Sequence, residues 1–251
     1  MKLVFCSSYG EIEGFLERGI NVFELAGLDV YNLSEEELKN LKERIDKKEL
    51  EIYSLNGLMG NCKPLREAPD LSEAKEYLGK LFSRLQYLGI KIAVFGSGGF
   101  RRVPEENADG FDEKLKEFVY MLSDVAKKYG VTIALEPLNS KECNIFTTAK
   151  ECFSYVQKIN RPEFNLLIDL YHFEKENEDP RDLEGYVSVL KHVHIAHPGD
   201  RFLPQASDEY DYSEFFDCLK EIGYEGAVSI EVIRNGFEGA EDSFKFTKTF
   251  L

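Results

Sequence analysis

The stretch FNLLIDLYHF, residues 164–173, runs apolar through Leu166, Leu167 and Ile168 and then delivers Asp169 and His172. A buried parallel strand hands polar groups to a site in this way, and a carboxylate so deep needs a compensating partner. Three other apolar runs end alike: VTIALEPLN presents Glu136, KHVHIAHP presents His192, His194 and His197, and AVSIEVIR presents Glu231. Two glutamates, an aspartate and at least one histidine, with no thiolate among them, suit one divalent cation such as Mn²⁺, Mg²⁺ or Co²⁺ better than a structural zinc. A lone strand-end glutamate is about as often a buried ion-pair partner as a ligand. Convergence from four runs makes coincidence the weaker account. Glu24, on an early strand outside this set, reads as structural or as a rim contact.

Positioning such a set requires strands that all end on one face. Short strands are expected at 2–7, 20–25, 51–58, 91–99, at VTIALE (131–136), over the 164–173 stretch, at HVHIA (192–196) and at GAVSIEVI (226–233). Amphipathic helices alternate with them. Ser34 followed by Glu37 is a capping box opening SEEELKNLKERIDKK, and Leu78, Leu81, Phe82, Leu85 and Leu88 fall on one helical face. Further helices are expected at 111–130, from the Thr147-Thr148 cap to about Asn160, at Pro180–Leu190, at 212–224 and at Ala240–Phe250, with RRVPEENADG (101–110) as a loop. Strand–helix units repeating about every thirty residues without a linker read as one domain, 1–251. Its 251 residues match the roughly 250 typical of a (β/α)8 TIM barrel. A doubly wound open sheet would alternate the same way. Polar residues gathered at the carboxyl ends of the last four strands favour the barrel, whose active sites are built on that face.

Composition narrows the function. A formal net charge of −15 opposes long-range attraction to nucleic acid or an anionic membrane. Five scattered cysteines without a CxxC pair read as reduced thiols. No run approaches membrane-spanning length and MKLVFCSSYGE is a poor signal sequence, so a soluble, cytoplasmic protein is expected, monomeric or homo-oligomeric. Gly96-Ser97-Gly98-Gly99 before Arg101 and Arg102 invites a phosphate-cradle reading. It lacks the Lys-Ser/Thr of a P-loop and no helix is expected directly after it, so close strand-end packing is the preferred purpose.

These motifs resemble the xylose-isomerase-like TIM barrel superfamily, and within it the tagatose and psicose 3-epimerase type. The resemblance spans nearly the whole chain and rests on Glu136 in LEPLN with Glu142 six residues on, the D-x-x-H of Asp169 and His172, the H-x-H of His192 and His194 followed by Arg201, and Glu231 in SIEV. It implies a metal held by Glu136, Asp169, His194 and Glu231, with Glu142, His172 and Arg201 contacting substrate hydroxyls and carbonyl. The segment between His194 and Arg201 is longer than the family's usual spacing, which leaves His197 either a substrate contact or a loop residue. His192 reads as a core or supporting histidine.

The implied reaction moves a proton beside a carbonyl of a small keto sugar, sugar phosphate or related polyol through an enediolate. Glu136 and Glu231 would remove it on one face and return it on the other, with the metal stabilising the oxygens. Three alternatives share the fold: an inosose dehydratase-like lyase, a DNA-repair endonuclease of the AP-endonuclease type, and a non-catalytic sugar-binding homologue. The endonuclease plan needs three metals and more histidines than the four present, in a less acidic chain.

Overall fold

Apolar runs that alternate with amphipathic segments must bury both faces of each strand, and a closed sheet wrapped in helices does so without leaving an edge. In the computed structural model eight parallel strands, β1 (Lys2–Ser7), β2 (Val22–Ala26), β3 (Glu51–Asn56), β4 (Ile92–Phe95), β5 (Thr132–Leu135), β6 (Phe164–Asp169), β7 (Leu190–Ile195) and β8 (Ala227–Ile230), close in sequential order. β8 pairs with β1, from Lys2 opposite Ala227 to Phe5 opposite Ile230, which rules out the open sheet. The structure describes residues 1–105, 109–233 and 236–251, so part of the expected 101–110 loop and the last residue of the AVSIEVIR run lie outside the described residues.

The helices are α1 (Ile12–Leu16), α2 (Gly27–Asn32), α3 (Glu35–Asp46), α4 (Ser72–Leu88), α5 (Gly98–Arg101), α6 (Phe111–Tyr129), α7 (Ala149–Ile159), α8 (Leu170–Lys175), α9 (Ser213–Glu221) and α10 (Ala240–Lys248). Three of them, α3, α7 and α8, open on a side-chain cap, from Ser34, Thr148 and Asp169. The Ser34 hydroxyl accepts from the Glu37 amide while the Glu37 carboxylate takes the Ser34 amide, closing the expected box. α4 ends where Gly89 adopts φ 84°, a left-handed conformation that glycine enters without strain. None of the helices among the described residues is long and apolar enough to cross a membrane.

Outward strand residues such as Phe5, Phe23, Phe95, Ile133, Leu166 and Val228 form one continuous core with the buried faces of the helices. Inward residues divide by chemistry. Val94, Ala134 and Leu167, with Ile92 packed on them, make a small apolar plug inside the β4–β6 side. Glu24, Ser54, His192 and Ser229, all fully buried, fill the opposite side with polar groups.

Three local expectations are corrected. The 164–173 stretch is not strand throughout: it ends as strand at Asp169, whose Oδ1 accepts from the Tyr171 amide at 2.7 Å and caps α8. The helix expected at Pro180–Leu190 is a 3₁₀ segment, Pro180–Tyr186, because Leu190 already belongs to β7. The glycine loop does lead directly into a helix, the single turn α5, while α2 occupies a stretch not expected to be helical.

Phe118 on α6 is fully buried, its ring 5.7 Å from Phe95 and 4.8 Å from Phe100. Phe118→Ala should therefore lower stability by about 3–5 kcal/mol. Chemical denaturation should register a lower midpoint at unchanged slope; an unaltered midpoint would mean that this helix–barrel contact contributes little.

Candidate metal centre and active site

Each of the last four strands delivers one side chain to the same point. Glu136 follows β5, Asp169 ends β6, His194 is the penultimate residue of β7 and Glu231 follows β8. One oxygen or ring nitrogen from each lies within 4.8 Å of all the others. His194 Nδ1 is 3.2 Å from Glu136 Oε1 and 3.5 Å from Glu231 Oε2. Asp169 Oδ2 is buried with no hydrogen-bond partner among the described residues, an arrangement that costs about 1–3 kcal/mol or more for a charged group. Three carboxylates around one imidazole, with an oxygen left to ligate, fit a divalent cation that prefers oxygen and nitrogen donors.

The charge balance of the protein groups alone points the same way. Burial pushes Glu136 up, and the charge of Glu231 pushes it further. Burial likewise raises Asp169 to about 6 although Arg201 opposes the shift. Burial acts on Glu231 too, but His194 and Arg201 outweigh it and hold this carboxyl at about 2. For His194 burial favours the neutral ring, yet Glu24 and Glu231 hold it well above the usual imidazole value. Opposed shifts on neighbouring groups in a cleft mark a functional site more often than a structural one.

The three expected substrate contacts surround this cluster. His172, in the first turn of α8, accepts at Nδ1 from the Asn139 backbone amide at 3.1 Å and lies 2.8 Å from the Asn139 side-chain amide. A ring nitrogen that accepts cannot carry the proton of a neutral imidazole, so Nε2 carries it. That Nε2 is buried, has no protein hydrogen bond and lies 3.8 Å from the equally unsatisfied Asp169 Oδ2. Arg201 donates to Glu231 Oε2 at 2.8 Å and to Glu142 at 3.3 and 3.4 Å, with its guanidinium 5.1 Å from the Tyr171 ring centroid. Arg201 itself adopts a left-handed backbone, φ 62°. A cleft of about 470 Å³ lies beside the cluster: of the four candidate ligands Glu231 lines it, together with Cys6, Ser7, Ser8, Asn56 and Arg201.

The structure also places the residues whose roles the sequence left open. Glu24 is no rim contact: it is fully buried inside the barrel, with Oε2 2.6 Å from His192 Nε2 and Oε1 2.9 Å from His194 Nε2. Its signal was the single charge between Phe23 and Leu25, whose outward side chains leave residue 24 pointing inward. Arg101 is not an anion ligand but a buried clamp, donating to the carbonyls of Phe95 and Glu136 at 2.8 Å each. Gly96 serves packing, since a Cβ there would meet Glu136 Oε2 at 2.1 Å. His197 pairs with Asp200 at 2.7 Å as a loop residue.

The family model for the xylose isomerase-like TIM barrel matches residues 15–250, and the chain belongs to that family. A ketose 3-epimerase of Arthrobacter globiformis is 31% identical over 117 residues, 46% of this chain and 40% of that protein. The chain thus matches less than half the length of that relative. A 3-dehydro-D-guloside 4-epimerase of Escherichia coli is 26% identical over 220 residues, 86% of this chain and 83% of its own length. Among solved structures, an E. coli 3-keto-D-glucoside 4-epimerase superposes with a TM-score of 0.83 at 21% identity, covering 99% of both chains, a likeness of fold.

Gly96→Ala isolates the fit of Glu136. The added methyl must displace the carboxylate, so Mn²⁺ affinity should fall by roughly 10-fold or more while the fold persists. Equilibrium metal binding and circular dichroism check the two halves. Undiminished binding would show that Glu136 ligates from another position.

Proposed function

We propose that the protein is a metal-dependent epimerase or isomerase of a small keto sugar or related polyol, phosphorylated or not, working by proton transfer between Glu136 and Glu231. The observation that carries this reading is the convergence of those two carboxylates, from the ends of β5 and β8, on His194 Nδ1, at 3.2 and 3.5 Å. The relatives support it: their names describe epimerisation at a carbon of a keto sugar or keto glycoside.

Glu136, Asp169, His194 and Glu231 would hold one divalent cation, Mn²⁺ in the first instance and Mg²⁺ or Co²⁺ by the same donor chemistry. Bound there, it would supply positive charge to neighbouring substrate oxygens. The remaining work belongs to the chain. His172 offers its Nε2–H to a substrate oxygen, with burial holding the ring below the usual imidazole value and therefore neutral. Arg201 supplies a second donor and, in exchanging Glu231 for substrate, would free that carboxylate to act as a base. Glu142 orients Arg201 and Asn139 together, since it accepts from both. One glutamate then takes the proton from the carbon beside the carbonyl and the other returns one to the opposite face. The hydroxyl and amide groups of Ser7, Ser8 and Asn56 suit the hydroxyls of a sugar.

The test is turnover of keto sugars and inososes, with and without phosphate, by metal-stripped and refilled protein in deuterated water. Deuterium should appear at the carbon whose configuration or oxidation level changes, because a carboxylate exchanges its proton with solvent. Glu136→Gln and Glu231→Gln should each lower net turnover by about 10²–10⁴-fold. Product formed without label, or by both variants at the normal rate, would eliminate the two-glutamate mechanism. Loss of water from an inosose would move the protein to the lyases, and DNA cleavage to the endonucleases.

A further inference from the structure

Directly beneath the proposed metal centre lies a polar cluster that the reaction does not use. Glu24 is fully buried, and its two oxygens face different partners. Oε2 accepts from His192 Nε2 at 2.6 Å and from the hydroxyls of Ser54 and Ser229, the latter at 3.1 Å. Oε1 lies 2.9 Å from His194 Nε2, an ion-pair contact not aligned for a hydrogen bond, and 3.5 Å from Cys6 Sγ. Four of these five groups come from different strands, and their inward positions are neighbours in the sheet register: Cys6 opposite Glu24, Glu24 opposite Ser54, and His194 opposite Ser229.

A carboxylate taken fully from water is retained only when donors surround it. Glu24 has them, and through Ser54, Ser229 and His192 it is fixed from one side so that its other oxygen is aimed at His194. The imidazole therefore has two distinct ends. Nε2 turns down to Glu24, and Nδ1 turns up to Glu136 and Glu231. We propose that Glu24 is the positioning residue of the metal centre: its carboxylate beside Nε2 keeps the proton of His194 on that nitrogen and so leaves the Nδ1 lone pair for the cation. A metal-bound histidine gains ligand basicity when a carboxylate accepts from its other nitrogen. The proposal rests on the metal reading above, not on the identity of the sugar.

The same atoms define the competing arrangement. Cys6 Sγ, Glu24 Oε1 and His194 Nε2 also lie within 4.8 Å of one another, and a thiolate attracts zinc. A metal seated there would bind Nε2 and reverse the tautomer.

Two measurements decide. In wild-type protein loaded with diamagnetic Zn²⁺, long-range ¹⁵N–¹H spectra of the imidazoles, assigned by omitting each of the four histidines in turn, should show His194 protonated on Nε2 and metallated on Nδ1. The opposite tautomer would overturn the proposal. Second, Mn²⁺ should bind Glu24→Gln roughly 10- to 100-fold more weakly than wild type, and Glu24→Asp, which keeps the charge with a shorter reach, should fall between them. Equal Mn²⁺ affinity in wild type and Glu24→Gln would overturn the role of Glu24 and leave the metal centre standing. A wild type that takes up no metal would remove both.

Discussion

Buried negative charge is the constraint on which the rest of this molecule depends. Glu24, Glu136, Asp169 and Glu231 crowd around a single imidazole, with Arg201 closing the top. No isolated helix or hairpin could hold such a group, because its charges would find water or separate. A closed parallel barrel can. Its strands satisfy their own backbone groups, so side chains at their ends can be held at fixed positions by the sheet. Helices on the outer face keep the strands in place largely through apolar burial, which leaves the inner end free to carry a repulsive set of charges.

The interior is divided to match that task. On the β4–β6 side Val94, Ala134 and Leu167 form an inert plug, and there the structure fixes Glu136 by its backbone: Arg101 holds the Glu136 carbonyl while Gly96 leaves space for the carboxylate. On the opposite side Glu24, Ser54, His192 and Ser229 replace the plug with hydrogen bonds among themselves, which leave Glu24 Oε1 2.9 Å from His194 Nε2. One half of the centre is thus positioned by shape and the other by electrostatics. The two mechanisms tolerate different changes, since a shape constraint answers to volume and a polar one to the count of donors.

The barrel and the four strand-end groups were legible in the sequence because each charged residue interrupts an apolar run, a contrast visible without neighbours. Asp169 and His172 were legible as a pair, yet the reason for their spacing was not. FNLLIDLYHF reads as one strand because an apolar run has no period, and only the Asp169 cap reveals that a helical turn begins there. Glu24 was obscured by register. β2 shifts against β3 between Phe23 and Glu24, and the partners that make the carboxylate tolerable lie 30, 168 and 205 residues away. Packing was the preferred reading of the glycine loop, yet the role of Arg101 was not legible, because an arginine after glycines carries the same local signal whether it meets a phosphate or two carbonyls; burial separates the cases.

This separation of roles bears on how chemistry and specificity can vary on one scaffold. The groups proposed to move the proton stand at strand ends, where a change of position would disturb the sheet. The groups that line the adjacent cleft, Ser7, Ser8, Asn56 and Val232, stand at the strand ends and loops beside β1, β3 and β8. In the proposed reaction, substitution there would alter which substrate hydroxyls find partners without moving Glu136, Asp169 or His194. Asn56 is the exception, since its amide donates to Glu231 Oε1 at 3.3 Å. It would therefore couple the choice of substrate to the placement of one of the two proposed proton carriers, and it is the point at which a change of specificity would also change the rate.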